Sequence, residues 1–174
     1  MAPSRFHLLP LVLSLGAADV FRVKDATYGE GDEAIRLKIL RNTRTNESAE
    51  ILSGWGGKVE ALRLIGKNGL RDIIYNHGGD ASKIRSDSSP GAVLSPFSNR
   101  VANGTYNWEG QTYYLKKNSA NNAMHGFLIG GQTMDVVNEE ADDKHATVTL
   151  RFVFGGEEGY PFNVSLTVMY TLFD

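Results

Sequence analysis

An all-β, antiparallel β-sandwich is the fold class this sequence predicts, and three observations carry that expectation. Phe162, Val164, Leu166, Val168, Tyr170 and Leu172 occupy every second position, which puts all six on one face of a strand. Further alternating segments flank turn-rich clusters at Tyr28-Gly-Glu-Gly-Asp, Gly66-Lys-Asn-Gly and Glu109-Gly110, the arrangement of hairpins. No stretch shows a helical period. Antiparallel hairpins with one apolar face bury it most simply against a second sheet, hence a sandwich.

The elements follow in chain order. Met1 to Ala18 has the form of a secretory signal: Arg5 is the positive start, Leu8 to Leu15 the apolar run, and Gly16-Ala17-Ala18 the small-residue cleavage site. Pro10 interrupts that run, so a first core strand in a cytoplasmic protein is the alternative. Three N-glycosylation sequons, at Asn46, Asn103 and Asn163, are compatible with secretion. Val20 to Ala26 and Ala34 to Leu40 form the first expected hairpin, and Val59 to Ile65 with Leu70 to Tyr75 the second. Between them, Gly54-Trp55-Gly56-Gly57 lacks the Lys-Ser/Thr ending of a phosphate-binding loop and is expected to be a turn, with Trp55 packing beside it. Gly78 to Pro90 loses periodicity and is expected to be a loop. Tyr106 to Leu115 is a hairpin whose aromatic residues are expected to pack a sheet face, and Lys116 to Asn122 is a polar connection. Met134 to Asn138 and Ala146 to Phe154 are strands around a charged turn running from Glu139 to Lys144.

Composition excludes several functions. The chain has 174 residues, 41% hydrophobic and 22% charged, the composition of a soluble domain or part of one. A net charge of -2 gives no basic patch for nucleic acid, and Arg36, Lys38 and Arg41 are expected on solvated strand faces. After the leader, no segment has the ~20 apolar residues of a helical membrane span. With no cysteine, disulfides, thiol nucleophiles and cysteine zinc sites are ruled out. There is no His-Glu-x-x-His and no Gly-x-Ser-x-Gly, so metal-dependent and serine hydrolysis lack their signatures. No metal or cofactor is expected. His7, His77 and His145 are expected in leader or structural positions, and oligomeric state is not legible.

The candidate chemistry lies in Leu94-Ser-Pro-Phe-Ser-Asn-Arg-Val-Ala-Asn-Gly-Thr-Tyr and, downstream, Asn122-Ala-Met-His-Gly-Phe. Arg100 can fork onto two neighbouring oxygens, Asn99 can donate to one hydroxyl while accepting from another, and His125 can move a proton near neutral pH. Those groups suit a polyhydroxylated ligand.

Four blocks, Ser98 to Tyr106, Trp108 to Leu115, Asn122 to Phe127 and Gly155 to Phe162, resemble the aldose 1-epimerase (galactose mutarotase) family in order and approximate spacing, with coverage from about Ala49 to Asp174. The resemblance implies a β-sandwich that interconverts the α and β anomers of free aldoses without metal or cofactor, a monosaccharide being its partner. It implies that Asn99, Arg100 and His125 bind the sugar and that His125 is the catalytic candidate. The family's general acid is a second His in a later Asn-His-x-Tyr-Phe-Asn block, its base is a later Glu, and an Asp lies between them; none has a counterpart here. The chain is therefore expected to be an N-terminal part of the domain, an incomplete sandwich with an unpaired edge and an apolar face including Phe162, Leu166 and Tyr170 left uncovered, aggregation-prone and nearly inactive alone. The alternatives are a non-catalytic carbohydrate-binding remnant and the related family acting on phosphorylated hexoses. In that related family Ala-Arg follows His-Gly-Phe, whereas Leu128-Ile129 stand here. Glu157-Glu158 are expected to form a turn rather than a hydrolytic carboxylate pair.

Overall fold

The computed structural model describes residues 19–87, 89–126, 130–156 and 159–174. The expected leader from Met1 to Ala18, the Glu157-Glu158 pair and Phe127 of the His-Gly-Phe block lie outside them. Strands β1 (Phe21–Tyr28) and β2 (Ile35–Asn42) form the first antiparallel hairpin, with Phe21 opposite Asn42 and Tyr28 opposite Ile35. Strands β3 (Ser48–Leu52), β4 (Lys58–Gly66) and β5 (Gly69–Asp72) continue it as a meander, a five-stranded sheet in chain order. Next come a short helix α1 (Ala81–Ser86) and four short strands: β6 (Arg100–Val101), β7 (Thr105–Trp108), β8 (Gln111–Tyr114) and β9 (Ala123–Met124). β6 pairs with β9 and β7 with β8. Finally β10 (Asp135–Ala141), β11 (His145–Phe154) and β12 (Val164–Phe173) make a three-stranded antiparallel sheet.

The two larger sheets pack face to face. Phe21, Leu40 and Ile51 of the first meet Val148, Leu150 and Leu172 of the second in one buried cluster. Complete burial of such side chains contributes about 1.5–3 kcal/mol each. From Leu166 to Leu172 the even positions of β12 face this core, so Leu166 and Tyr170 pack against the first sheet rather than lying uncovered as expected, whereas Phe162 precedes the strand and packs beside Tyr113 and Tyr160. Tyr170 also ties the sheets together: its hydroxyl donates to the Gly57 carbonyl at 2.6 Å, and burial pushes its phenol up to about 12. β2 is covered on both sides, because its odd positions Ile35 and Leu37 pack with Leu52 and with Ile84 of α1.

Several expectations need correction. Lys38 does not lie on a solvated face. It is buried at 7% exposure, and although burial disfavours its charge, ion pairs to Asp25 and Glu139 outweigh that and raise its pKa. The 78–90 stretch is not all loop: Asp80 caps α1 by accepting from the Ser82 and Lys83 amides, and six residues are too few to display a period. Glu139 to Ala141 belong to β10, so the turn narrows to Asp142–Lys144, where the Asp142 carboxylate accepts from the Lys144 and His145 amides. Strand β3 was not expected, since Ser48-Ala-Glu does not alternate. It is nevertheless wholly buried, its Glu50 taking hydrogen bonds from Tyr28 and Arg63.

The expected packing role of Trp55 holds, with Arg85 stacked 4.7 Å from its ring centroid. The structural role of His77 holds as well. Its backbone amide donates to Glu60 at 2.7 Å and its Nδ1 lies 3.1 Å from the same carboxylate, which is buried and ion-paired to Lys58. This polar anchor, with the Val59 amide donating to the Gly91 carbonyl, fastens the segment leading into the candidate site to β4.

Candidate functional site

Asn99, Arg100 and His125 come together although 26 residues separate the outer two. The small β6–β9 ladder does this by setting Arg100 opposite Met124 and Val101 opposite Ala123. Just before it, the His125 amide donates to the Asn99 carbonyl at 2.9 Å, and the Asn99 amide donates back to Nδ1 of the His125 ring at 3.2 Å. Asn99 thus grips both the backbone and the side chain of His125. Both residues adopt left-handed backbone conformations, with φ of 56° and 65°, which Asn and His enter more readily than most residues.

That second bond selects a tautomer. Because Nδ1 accepts a hydrogen bond, the neutral ring carries its proton on Nε2 and offers Nε2–H as a donor. The Arg100 guanidinium donates to the Asn99 side-chain oxygen at 3.4 Å. Asn99 and Arg100 are exposed and His125 is half-buried, so the donors are accessible from solvent.

The supports of this pair were not expected from the sequence. Gly126, at φ 64°, bridges to Ser95, and a Cβ added there would collide with the Ser95 carbonyl; Ser95-Pro96 is a cis peptide. Asn118 bonds the Met124 backbone with both ends of its amide, at 2.9 and 2.7 Å. The Asn122 side chain accepts from the Asn103 amide at 3.2 Å. The available signal was the Asn- and Ser-rich composition of Lys116 to Asn122, since such side chains commonly bond nearby backbone. A cavity of about 260 Å³ flanks the ladder, lined by Phe97, Asn118, Met124 and Gly126 among others.

The β7–β8 hairpin stands apart from the main sheets. Tyr106 stacks on Tyr113 at 5.1 Å and its hydroxyl donates to the Gly159 carbonyl, whereas Trp108 and Tyr114 are exposed. Of its aromatic residues, then, only the two tyrosines Tyr106 and Tyr113 pack as expected. His145 sits away at the start of β11 near Glu140 and Asp142. Among the described residues, no cluster of three His, Asp or Glu side chains is arranged to hold a metal ion.

Two antiparallel sheets packed in this way form a β-sandwich, and the solved structures it superposes on are of the galactose mutarotase class. A galactose 1-epimerase from Lactobacillus acidophilus NCFM superposes with a TM-score of 0.70 at 20% identity, covering 88% of this chain and 45% of that one. A galactose mutarotase-like protein from Clostridium acetobutylicum gives 0.68 at 23%, covering 88% and 46%. The chain belongs to the aldose 1-epimerase family, whose profile matches residues 39–174. Galactose mutarotase of Bos taurus is 28% identical over 123 residues, 68% of this chain and 34% of that protein. The uncharacterised protein YihR of Escherichia coli K12 is 37% identical over 144 residues, 79% and 45% respectively. The chain thus spans between a third and a half of the length of these relatives.

Proposed function

We propose that this chain supplies the sugar-holding part of an aldose 1-epimerase site, which interconverts the α and β anomers of free aldohexoses such as glucose or galactose by general acid/base catalysis. The observation that supports this most is the reciprocal Asn99–His125 grip beside Arg100, inside the segment that matches the family. In the reaction a base removes the proton of the anomeric hydroxyl while an acid protonates the ring oxygen. The bond between the anomeric carbon and the ring oxygen breaks, the carbonyl end rotates, and closure reverses both transfers. Here Arg100 forks onto neighbouring sugar oxygens, Asn99 supports it, and the Nε2–H of His125 donates to an oxygen on which charge develops. The two proton-transfer groups that the family resemblance implies, a second His and a Glu, have no counterpart in these 174 residues.

Polarimetry of freshly dissolved α-galactose tests the reading in a protein carrying this segment together with those two groups. His125→Ala is expected to lower kcat by roughly 10²–10³-fold, the cost of losing one preorganised donor. Arg100→Ala is expected to raise KM, with incomplete rescue by Arg100→Lys because the planar fork is lost. Unchanged kinetics in both alanine variants would exclude the assignment.

Secretion is proposed on the form of Met1 to Ala18. N-terminal sequencing of native protein is expected to begin at Asp19; an intact Met1 on intracellular protein would refute it.

A further inference from the structure

We propose that Asn118 is a positioning residue for His125, its side-chain amide serving as a surrogate third strand on the outer edge of β9. The inference rests on the sugar-holding reading only for its functional consequence. In an antiparallel ladder, alternate residues of a strand turn their backbone groups toward the partner and away from it. The His125 amide bonds Asn99, so the rung at that position faces the β6 side. Met124, one residue earlier, turns its N–H and C=O the other way, where backbone pairing would need another strand. The Asn118 amide fills that place: its Nδ2 donates to the Met124 carbonyl at 2.9 Å, and its Oδ1 accepts from the Met124 amide at 2.7 Å.

The turn behind Asn118 is built to hold it there. The Asn118 and Ser119 amides both donate to the Asn122 carbonyl at 3.1 Å, and the Asn122 amide returns a bond to the Ser119 carbonyl at 2.9 Å. A ladder of two residues per strand has little register strength of its own. Fixing Met124 on its outer edge therefore fixes the next residue, His125, opposite Asn99, and with it the bond that selects the Nε2–H tautomer. Asn118 lines the flanking cavity but has no place in the proposed proton transfers.

The test is the imidazole nitrogen spectrum of His125 in the labelled chain without sugar, followed by galactose titration. The expected wild-type spectrum is a single Nε2–H tautomer. Asn118→Ala is expected to give a mixture of tautomers and several-fold weaker sugar affinity, with a nearly unchanged thermal midpoint because the site is exposed. Asn118→Asp keeps the acceptor for the Met124 amide and should lie between the two. Asn121→Ala, in the same turn, should match wild type. A His125 spectrum in Asn118→Ala identical to wild type would overturn the proposal. Because that spectrum needs no ligand, failure of the wild-type chain to bind galactose would count against the sugar-holding reading alone.

Discussion

His125 and Asn99 hold each other in backbone conformations that a non-glycine residue enters at a cost of order 1–3 kcal/mol. The strain is sustained by neighbours that leave little freedom, and Gly126 is the tightest of these. At φ 64° and against the Ser95 carbonyl, it tolerates no side chain. Gly126→Ala is therefore expected to lower stability by more than about 1 kcal/mol in urea unfolding, and to abolish the Asn99–His125 pairing as seen by amide protection. Wild-type stability in that variant would mean the loop is not held as described. At this scale the sequence was partly legible. Arg100 and His125 stand in motif blocks with a chemistry of their own, so type and spacing pointed to them. Asn118, the Ser95 contact and the His125 tautomer depend on which backbone lies alongside, which no local pattern encodes.

Among the elements, the long alternating strands were the most readable, because one buried face imposes a period of two on β11 and β12. Strand β3 has no alternating pattern because it is central and buried throughout, its Glu50 made tolerable by Tyr28 and Arg63. Helix α1 has no readable period because it is one short segment pinned by Asp80 at its start and Ile84 at its core. The Asp80 carboxyl is held below its ordinary value by the Ser82 side chain and the Lys83 and Ser82 amides. A carboxyl depressed on folding contributes stability that is complete above its unfolded pKa and lost as pH falls through the lower folded value. Protection of the Ser82 and Lys83 amides against hydrogen exchange should therefore decline on acidification across that interval. In Asp80→Asn, which keeps a capping oxygen without the charge, the decline should be absent. An identical acid response in both proteins would remove Asp80 as its cause.

For the whole molecule, the sandwich class followed from the strand faces, but the pairing of faces did not. That β11 lies over β1 and β2, and that Tyr170 reaches Gly57 across the core, are consequences of packing between distant segments. The same long-range packing sets the site: the five-stranded sheet fastens the incoming segment through Glu60 and His77, and the short ladder then meets it with Met124 and His125. The most direct measurement of whether this assembly holds a sugar is a galactose titration of the labelled chain followed by side-chain nuclear magnetic resonance. If Asn99, Arg100 and His125 form the site, the His125 ring and Arg100 guanidinium signals shift together and saturably, while those of His77 and His145 stay in place. Saturable shifts confined to other residues, or no response from Arg100 and His125 at any galactose concentration, would contradict it.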